Sequence, residues 1–124
     1  MKKVALLISI FLLLQQNIFA ETTVYSKNNH FGLKESNNTI TEAKYKKLVR
    51  LGETSWILQD GTKFGIINDK GEMLIPPIYN QAERVLGKYV KFRKGDKYGI
   101  YDEYGVELIE PVYSSIDQIG RAHV

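Results

Sequence analysis

Residues that commonly carry out chemistry are scarce in this sequence. Its 124 residues include no cysteine and two histidines, His30 and His123. A nucleophile activated by histidine would depend on one of these side chains, and a metal site needs several convergent ligands. His30 precedes an aromatic–glycine pair, as Lys63 and Lys97 do, so we expect a solvent-facing strand residue there. The sequence predicts no catalytic residue, no bound metal and no cofactor.

Acidic residues near turn glycines are the remaining candidates for a chemical role: Asp60, Asp69, Asp102 and Glu103. Calcium loops of the EF-hand type need alternating acids closed by a distant glutamate, and no segment has that spacing. A glycosidase needs two carboxylates across a cleft, and no sequence pattern singles out such a pair. We therefore expect these acids to accept hydrogen bonds within their own turns.

The elements that must position these residues form an internal repeat. Three aromatic–glycine pairs lie 33 and 34 residues apart: Phe31-Gly32, Phe64-Gly65 and Tyr98-Gly99. A tyrosine follows each aromatic, Tyr45 after fourteen residues and Tyr79 and Tyr113 after fifteen. The chain therefore contains three copies of a unit of about 34 residues, a period typical of repeat architectures.

Each unit is predicted to form three short antiparallel strands. The expected strands are 55–59, 63–68 and 72–75 in the second unit, and 88–93, 97–102 and 106–109 in the third. Gly71 and Gly105 supply the turn before the last strand, because glycine takes positive φ without a Cβ clash. Pro77 and Pro111 end that strand, since proline cannot donate to a ladder. The fold class is therefore all-β, with tandem three-stranded meanders arranged as a solenoid or as blades.

The glycine of each pair has a packing role. Phe64 and Ile66 point to one face of their strand and Gly65 to the other. The missing side chain lets a neighbouring strand or a large aromatic lie close there. The candidates to fill such a space are Trp56, Tyr79 and Tyr113. We therefore interpret the recurring aromatic residues as core residues in preference to residues that contact a ligand.

These units resemble WG repeats, a bacterial family named for a Trp-Gly pair. The family pattern is aromatic-Gly-aliphatic, Asp-x-x-Gly, an aliphatic strand, then Pro and Tyr, and residues 63–71 and 97–105 follow it closely. The resemblance covers about residues 25–117 and is loose in the first unit. The family tryptophan is replaced by Phe31, Phe64 and Tyr98, so the aromatic plate is kept and the indole N–H is lost. The resemblance implies the repeat fold and export; such proteins mostly lack an assigned activity.

The N-terminus has the features of a secretory signal peptide. Two lysines precede a nearly unbroken apolar run at 4–14, and Ala20 precedes Glu21 at the expected cleavage site. The run is shorter than the roughly 20 residues needed to span a bilayer. We predict a helical signal peptide at 1–20 and export to the periplasm or the cell exterior. Membrane contact is expected only through this segment before cleavage, with a retained N-terminal anchor as the alternative.

The formal charge of +3 comes mainly from the ends of the chain. Without the two lysines of the signal, fifteen basic residues face fourteen acidic ones. Nucleic-acid binding depends on neutralising phosphates, and no basic stripe remains for that purpose. We therefore expect no nucleic-acid partner.

The last seven residues, 118–124, read Gln-Ile-Gly-Arg-Ala-His-Val. This resembles the translation of a common sequencing-library adapter. We hypothesise that the natural sequence differs after Asp117 and that this chain is a truncated fragment. An ordinary C-terminal tail is the alternative.

The repeats are placed at 21–52, 53–87 and 88–117, with the third incomplete. We predict a non-catalytic binding or scaffold module of the cell envelope, whose partner is an envelope glycan, a peptide or a protein. Stacked repeats present equivalent side chains in rows, here Phe31, Phe64 and Tyr98, and Tyr45, Tyr79 and Tyr113. A row that faces outward would bind a ligand, whereas a buried row would be core. The alternative function is an accessory region at the N-terminus of a longer exported enzyme.

Overall fold

The computed structural model describes residues 21–113, and of 111–113 it describes the backbone alone. The predicted signal peptide, its expected cleavage residue Ala20 and the segment 118–124 lie outside the described residues. The described chain is all-β, as the sequence predicts, and contains no helix. Its strands form three antiparallel sheets that follow one another in chain order.

Successive strands are neighbours in every sheet. The first sheet contains β1 (Thr22–Lys27), β2 (His30–Glu35) and β3 (Asn38–Thr39). The second contains β4 (Lys47–Leu51), β5 (Ser55–Asp60), β6 (Lys63–Asn68) and β7 (Met73–Tyr79). The third contains β8 (Gln81–Val85), β9 (Tyr89–Lys94), β10 (Lys97–Asp102) and β11 (Glu107–Tyr113). Each sheet is therefore a meander of hairpins.

The second and third sheets have four strands, and the expectation of three-stranded meanders is wrong for both. The additional strands are β4 and β8, which lie in the segments that follow Tyr45 and Tyr79. β8 pairs along its whole length with β9, from Gln81 opposite Arg93 to Val85 opposite Tyr89. Backbone groups pair regardless of the side chains they carry, so a segment with few apolar residues still forms an edge strand.

The last strand of each four-stranded sheet continues through its proline. β7 runs to Tyr79 and β11 to Tyr113, so the expectation that Pro77 and Pro111 end these strands is wrong. Both are edge strands, where the missing proline N–H needs no partner on the open side. The register shifts where β7 meets β6 and where β11 meets β10, which bends the strand locally.

The glycines of the first two aromatic–glycine pairs admit neighbouring backbone. A Cβ atom on Gly65 would collide with the carbonyl oxygen of Ile75 and lie 2.8 Å from the carbonyl carbon of Pro76. A Cβ atom on Gly32 would lie 2.7 Å from the carbonyl oxygen of Thr41. At both positions the chain that follows the strand lies against the glycine, so a side chain there would push the backbone apart.

The second sheet is covered on both faces. Trp56 and Leu58 of β5 belong to a core cluster with Leu33 of the first sheet. The intervening Ile57 belongs to a second cluster with Phe92 of the third sheet. Because side chains alternate along a strand, β5 supplies one face to each neighbouring sheet. The three sheets therefore form a stack with two apolar layers.

Candidate functional site

The tyrosine row predicted from the repeat spacing packs the core where its side chains are described. Tyr45 is 2% exposed and Tyr79 is 5% exposed, and the side chain of Tyr113 lies outside the described residues. The rings of Tyr79 and Phe92 are stacked with centres 4.4 Å apart, and Tyr101 meets Phe92 edge-on. Tyr45 and Tyr79 therefore offer no free ring to a ligand.

A pair of hydrogen-bonded tyrosines is buried in the layer between the second and third sheets. The hydroxyl oxygens of Tyr79 and Tyr101 are 2.7 Å apart, and the Tyr101 hydroxyl donates to the Glu107 carboxylate at 2.9 Å. Burial, followed by the hydrogen bonds to Tyr79 and Glu107, raises the pKa of Tyr101 well above its ordinary value. The hydroxyl stays protonated and acts as a structural donor. The sequence analysis missed this pair. The available signal was that Tyr101 stands one period after Ile67, so a polar aromatic residue takes the place of an aliphatic one.

The aromatic residues of the three glycine pairs lie nearer the surface. Phe31, Phe64 and Tyr98 are all half-buried. Phe64 and Tyr98 border one groove beside β8, with a volume of about 450 Å³. We call this the Tyr98 groove; its other lining residues are Gln81, Ala82, Glu83, Lys91 and Arg93. The structure thus brings two of the sequence-predicted aromatics into one concave surface.

Three strands position the polar side chains of the Tyr98 groove. Tyr98 lies opposite Arg93, and Arg93 lies opposite Gln81 on the next strand. The ammonium nitrogen of Lys91 is 5.5 Å from the centre of the Tyr98 ring and 2.8 Å from the Glu83 carboxylate. Because alternate residues of a strand share a face, these side chains belong to the outer face of the third sheet.

Arg93 contributes a donor without a protein acceptor. Within the part of the chain that the structure describes, its Nε atom is the buried side-chain polar atom that makes no hydrogen bond. Leaving a buried donor unpaired costs about 1–3 kcal/mol. A guanidinium N–H binds anionic oxygens with particular strength. The groove therefore combines an aromatic face with a guanidinium group, one N–H of which is buried without an acceptor.

A larger cleft of about 700 Å³ lies between the first and second sheets. Its central groups bind one another. The Asp69 carboxylate accepts hydrogen bonds from Arg50 at 2.6 Å and from Trp56 Nε1 at 2.8 Å. The Arg50 guanidinium also lies 4.7 Å from the centre of the Trp56 ring. The tryptophan is therefore held in a structural contact, and this cleft is the weaker candidate for a ligand site.

The acidic turn residues have two different roles. Asp102 caps its own turn, as predicted, and its Oδ1 accepts hydrogen bonds from two backbone N–H groups there. Glu103 instead reaches the second sheet, where Oε2 accepts from the N–H groups of Glu53 at 2.8 Å and Thr54 at 3.0 Å. The Thr54 hydroxyl donates to the same oxygen at 2.9 Å. We call this contact the Glu103 clasp. The expectation of a local role is wrong for Glu103, and also for Asp69, whose carboxylate binds Arg50 and Trp56 outside its turn.

The clasp alters the acidity of Glu103. Partial desolvation raises its pKa, but the hydrogen bonds from Thr54 and Glu53, with the nearby positive charge of Arg50, outweigh that effect. The pKa of Glu103 therefore lies below the ordinary value for glutamate. The carboxylate is charged at neutral pH, which is the state that three donors require.

Metal-binding and membrane-spanning features are not found in the described residues. No group of histidine and acidic side chains in them could hold a metal ion. The same residues contain no helix long and apolar enough to cross a bilayer. His30 is exposed, and its Nδ1 lies 3.0 Å from the carbonyl oxygen of Asn28.

Comparison with protein families identifies the repeat. Residues 64–98 match the family model of the WG containing repeat. The match starts at Phe64 and ends at Tyr98, so it covers one period and joins the second sheet to the third. No curated protein and no solved structure matches the chain. The segment 64–98 is therefore similar to a WG containing repeat, which supports the resemblance seen in the sequence.

Proposed function

We propose that this chain is an exported, non-catalytic binding module of the cell envelope that holds an acidic glycan in the Tyr98 groove. The observation that carries the proposal is the buried Nε atom of Arg93, which has no acceptor among the described residues. A carboxylate or hydroxyl oxygen of a ligand would satisfy this donor once the Arg93 side chain turns its Nε toward the groove. Export rests on the N-terminal sequence, which has the order of a secretory signal.

The composition of the groove favours a polar ligand with a flat apolar side. Tyr98 and Phe64 supply aromatic surface, while Gln81, Lys91 and Arg93 supply donors. Ligand sites commonly combine an apolar wall with a few convergent polar groups. The surplus of donors favours a ligand that carries carboxylate groups, as acidic sugars do.

The acidic residue of the groove supports a binding role over a catalytic one. Glu83 lies 2.8 Å from the ammonium group of Lys91. The ion pair engages the Glu83 carboxylate, so in the proposal Glu83 orients the ammonium group of Lys91.

Titration calorimetry with soluble peptidoglycan fragments tests the proposal. We expect Tyr98→Ala and Arg93→Gln each to weaken binding about tenfold, which corresponds to about 1.4 kcal/mol. Tyr98→Ala removes the aromatic face, and Arg93→Gln removes the unpaired donor. Tyr104→Ala is the matched control, because Tyr104 is an exposed tyrosine outside the groove.

Three outcomes would count against the proposal. Equal affinities for the wild type and both groove variants would exclude the Tyr98 groove as the site. Tighter binding of the free stem peptide than of the glycan would assign the groove to peptides instead. An absence of binding to either probe would remove the proposed function.

A further inference from the structure

The outer face of the third sheet repeats the contact surface of the second. In the second sheet, one row across the strands packs against the third sheet: Val49, Ile57, Ile66 and Ile75. One period later, the row on the outer face reads Glu83, Lys91, Ile100 and Ile109. Ile100 and Ile109 of this row correspond to Ile66 and Ile75 of the second sheet, which the third sheet covers.

These isoleucines belong to an apolar hollow of about 260 Å³. We call it the outer patch; its lining residues are Val85, Leu86, Tyr89, Ile100, Leu108 and Ile109. Leu86 is 84% exposed, and its φ of 54° is in the left-handed region. That conformation is unfavourable for a non-glycine residue, because its Cβ atom crowds the backbone. Within the described chain, the Leu86 side chain gains little burial in return, so the patch has the features of a contact surface.

The side chain of Leu86 is evidence that no further sheet docks on the third sheet through a contact like the Glu103 clasp. Residue 86 lies one period after Gly52. A Cβ atom on Gly52 would collide with the Glu103 carboxylate, and Leu86 carries such an atom. A glutamate that approached the 86–88 loop in the same way would therefore meet a side chain instead of open backbone.

The outer face of the first sheet is a poor partner for the outer patch. Three equivalent repeat positions differ between the first two sheets. The second sheet has the buried residues Trp56, Leu58 and Ile67, and the first sheet has Thr23, Tyr25 and Lys34 there. Thr23 and Lys34 are exposed and lie opposite each other. Head-to-tail contact between copies would bury these polar groups against an apolar surface, at a cost in desolvation. A closed pair that joins two identical faces avoids this cost.

We propose that two copies of this chain pair through their outer patches, about a two-fold axis. The face is self-complementary, since apolar surface meets apolar surface and the adjacent Glu83 and Lys91 carry opposite charges. Across the axis, each of these two charges can meet its opposite on the partner. The row of Tyr98, Arg93 and Gln81 lies toward the other end of the same strands, at the rim of the contact. Glu83 and Lys91 are shared by the contact and the Tyr98 groove. The pairing goes beyond the proposed function and does not depend on it.

Sedimentation equilibrium of the full 124-residue chain tests the pairing. We expect a monomer–dimer equilibrium that Ile100→Asp and Leu108→Asp shift at least tenfold toward monomer. Ile78→Asp is the control, because Ile78 is 44% exposed and lies outside the outer patch. Far-ultraviolet circular dichroism of each variant confirms that the strands remain folded.

Charge reversal provides a second test that leaves the apolar side chains intact. K91E gives a face with two acidic residues, and E83K gives a face with two basic residues. Each variant alone should dimerise at least tenfold more weakly than the wild type, because like charges meet across the axis. An equimolar mixture should regain the dimer as a heterodimer. The proposal is overturned by a wild-type monomer at concentrations up to about 1 mM, or by a mixture that associates no better than its components.

Discussion

Glu103 of the third sheet and Thr54 of the second are joined twice, because Oε2 of Glu103 accepts from the Thr54 N–H at 3.0 Å and from its hydroxyl at 2.9 Å. The Ser55 hydroxyl donates to the Glu103 carbonyl at 2.5 Å. One period earlier, the Thr22 hydroxyl donates to the Asp69 carbonyl at 3.3 Å. In both places, the acidic turn of the later sheet therefore accepts a hydrogen bond from the first residue of a strand in the sheet before it, Ser55 of β5 or Thr22 of β1.

Removing the Glu103 carboxylate should destabilise the chain. Glu103→Ala leaves the N–H groups of Glu53 and Thr54 without their acceptor, and water compensates in part because the contact is near the surface. We expect a loss of about 1 kcal/mol in the free energy of unfolding, measured by urea denaturation. Glu72→Ala is the control, since Glu72 is an exposed acid. Equal stabilities of Glu103→Ala and the wild type would show that the clasp makes no net contribution.

The clasp also predicts how stability changes in acid. The pKa of Glu103 is lower in the folded state than the ordinary value of about 4.3 expected when unfolded. Its contribution is therefore complete above the unfolded value and is lost as pH falls through the folded pKa. We expect the stability advantage of the wild type over Glu103→Gln to shrink below about pH 4.3. Urea midpoints of both chains at stepped pH measure this, and an advantage that stays constant from neutral to acid pH would contradict it.

Gly65 should tolerate no side chain. Gly65→Ala places a Cβ atom against the carbonyl oxygen of Ile75 in β7. The clash is with backbone, which cannot rotate away, so we expect a loss of about 3 kcal/mol or more. Thermal unfolding followed by circular dichroism measures it.

Gly61→Ala separates this clash from a cost of backbone conformation. Gly61 has a φ of 60°, and no atom lies within 4 Å of the place its Cβ would take. Alanine there should cost only about 1–2 kcal/mol, through the left-handed conformation. If the two alanine variants were equally stable, close approach of β7 would not be the reason for the glycine.

The tyrosine pair should show energetic coupling. Tyr101→Phe removes the link between Tyr79 and Glu107 and leaves the Tyr79 hydroxyl buried without that partner. We expect Tyr101→Phe to cost about 1–3 kcal/mol. The double variant with Tyr79→Phe should cost less than the sum of the two single changes. A double-mutant cycle measures the difference, and additive effects would show that the hydroxyls act independently.

Local signals in the sequence determined the positions of most strands. The expected segments 63–68 and 97–102 are confirmed as β6 and β10. Asn28 lies in the turn between β1 and β2 with a φ of 54°, a left-handed conformation that asparagine tolerates better than most residues. Such features are readable without a structure because alternation and turn conformation depend on residues close in the chain.

Tertiary structure decided that β4 and β8 form strands, whether each aromatic row is buried, and which residues Glu103 binds. β8 is a strand because β9 is available to pair with it, although Gln81 to Val85 contains little apolar sequence. Tyr79 is buried because the third sheet covers that face of the second, whereas Tyr98 lies on the face that no described sheet covers. The sequence repeat predicts the spacing of Tyr79 and Tyr98 but does not predict which residues they contact. Burial and hydrogen-bond partners depend on which sheet lies across the interface, and those contacts join residues from different repeats.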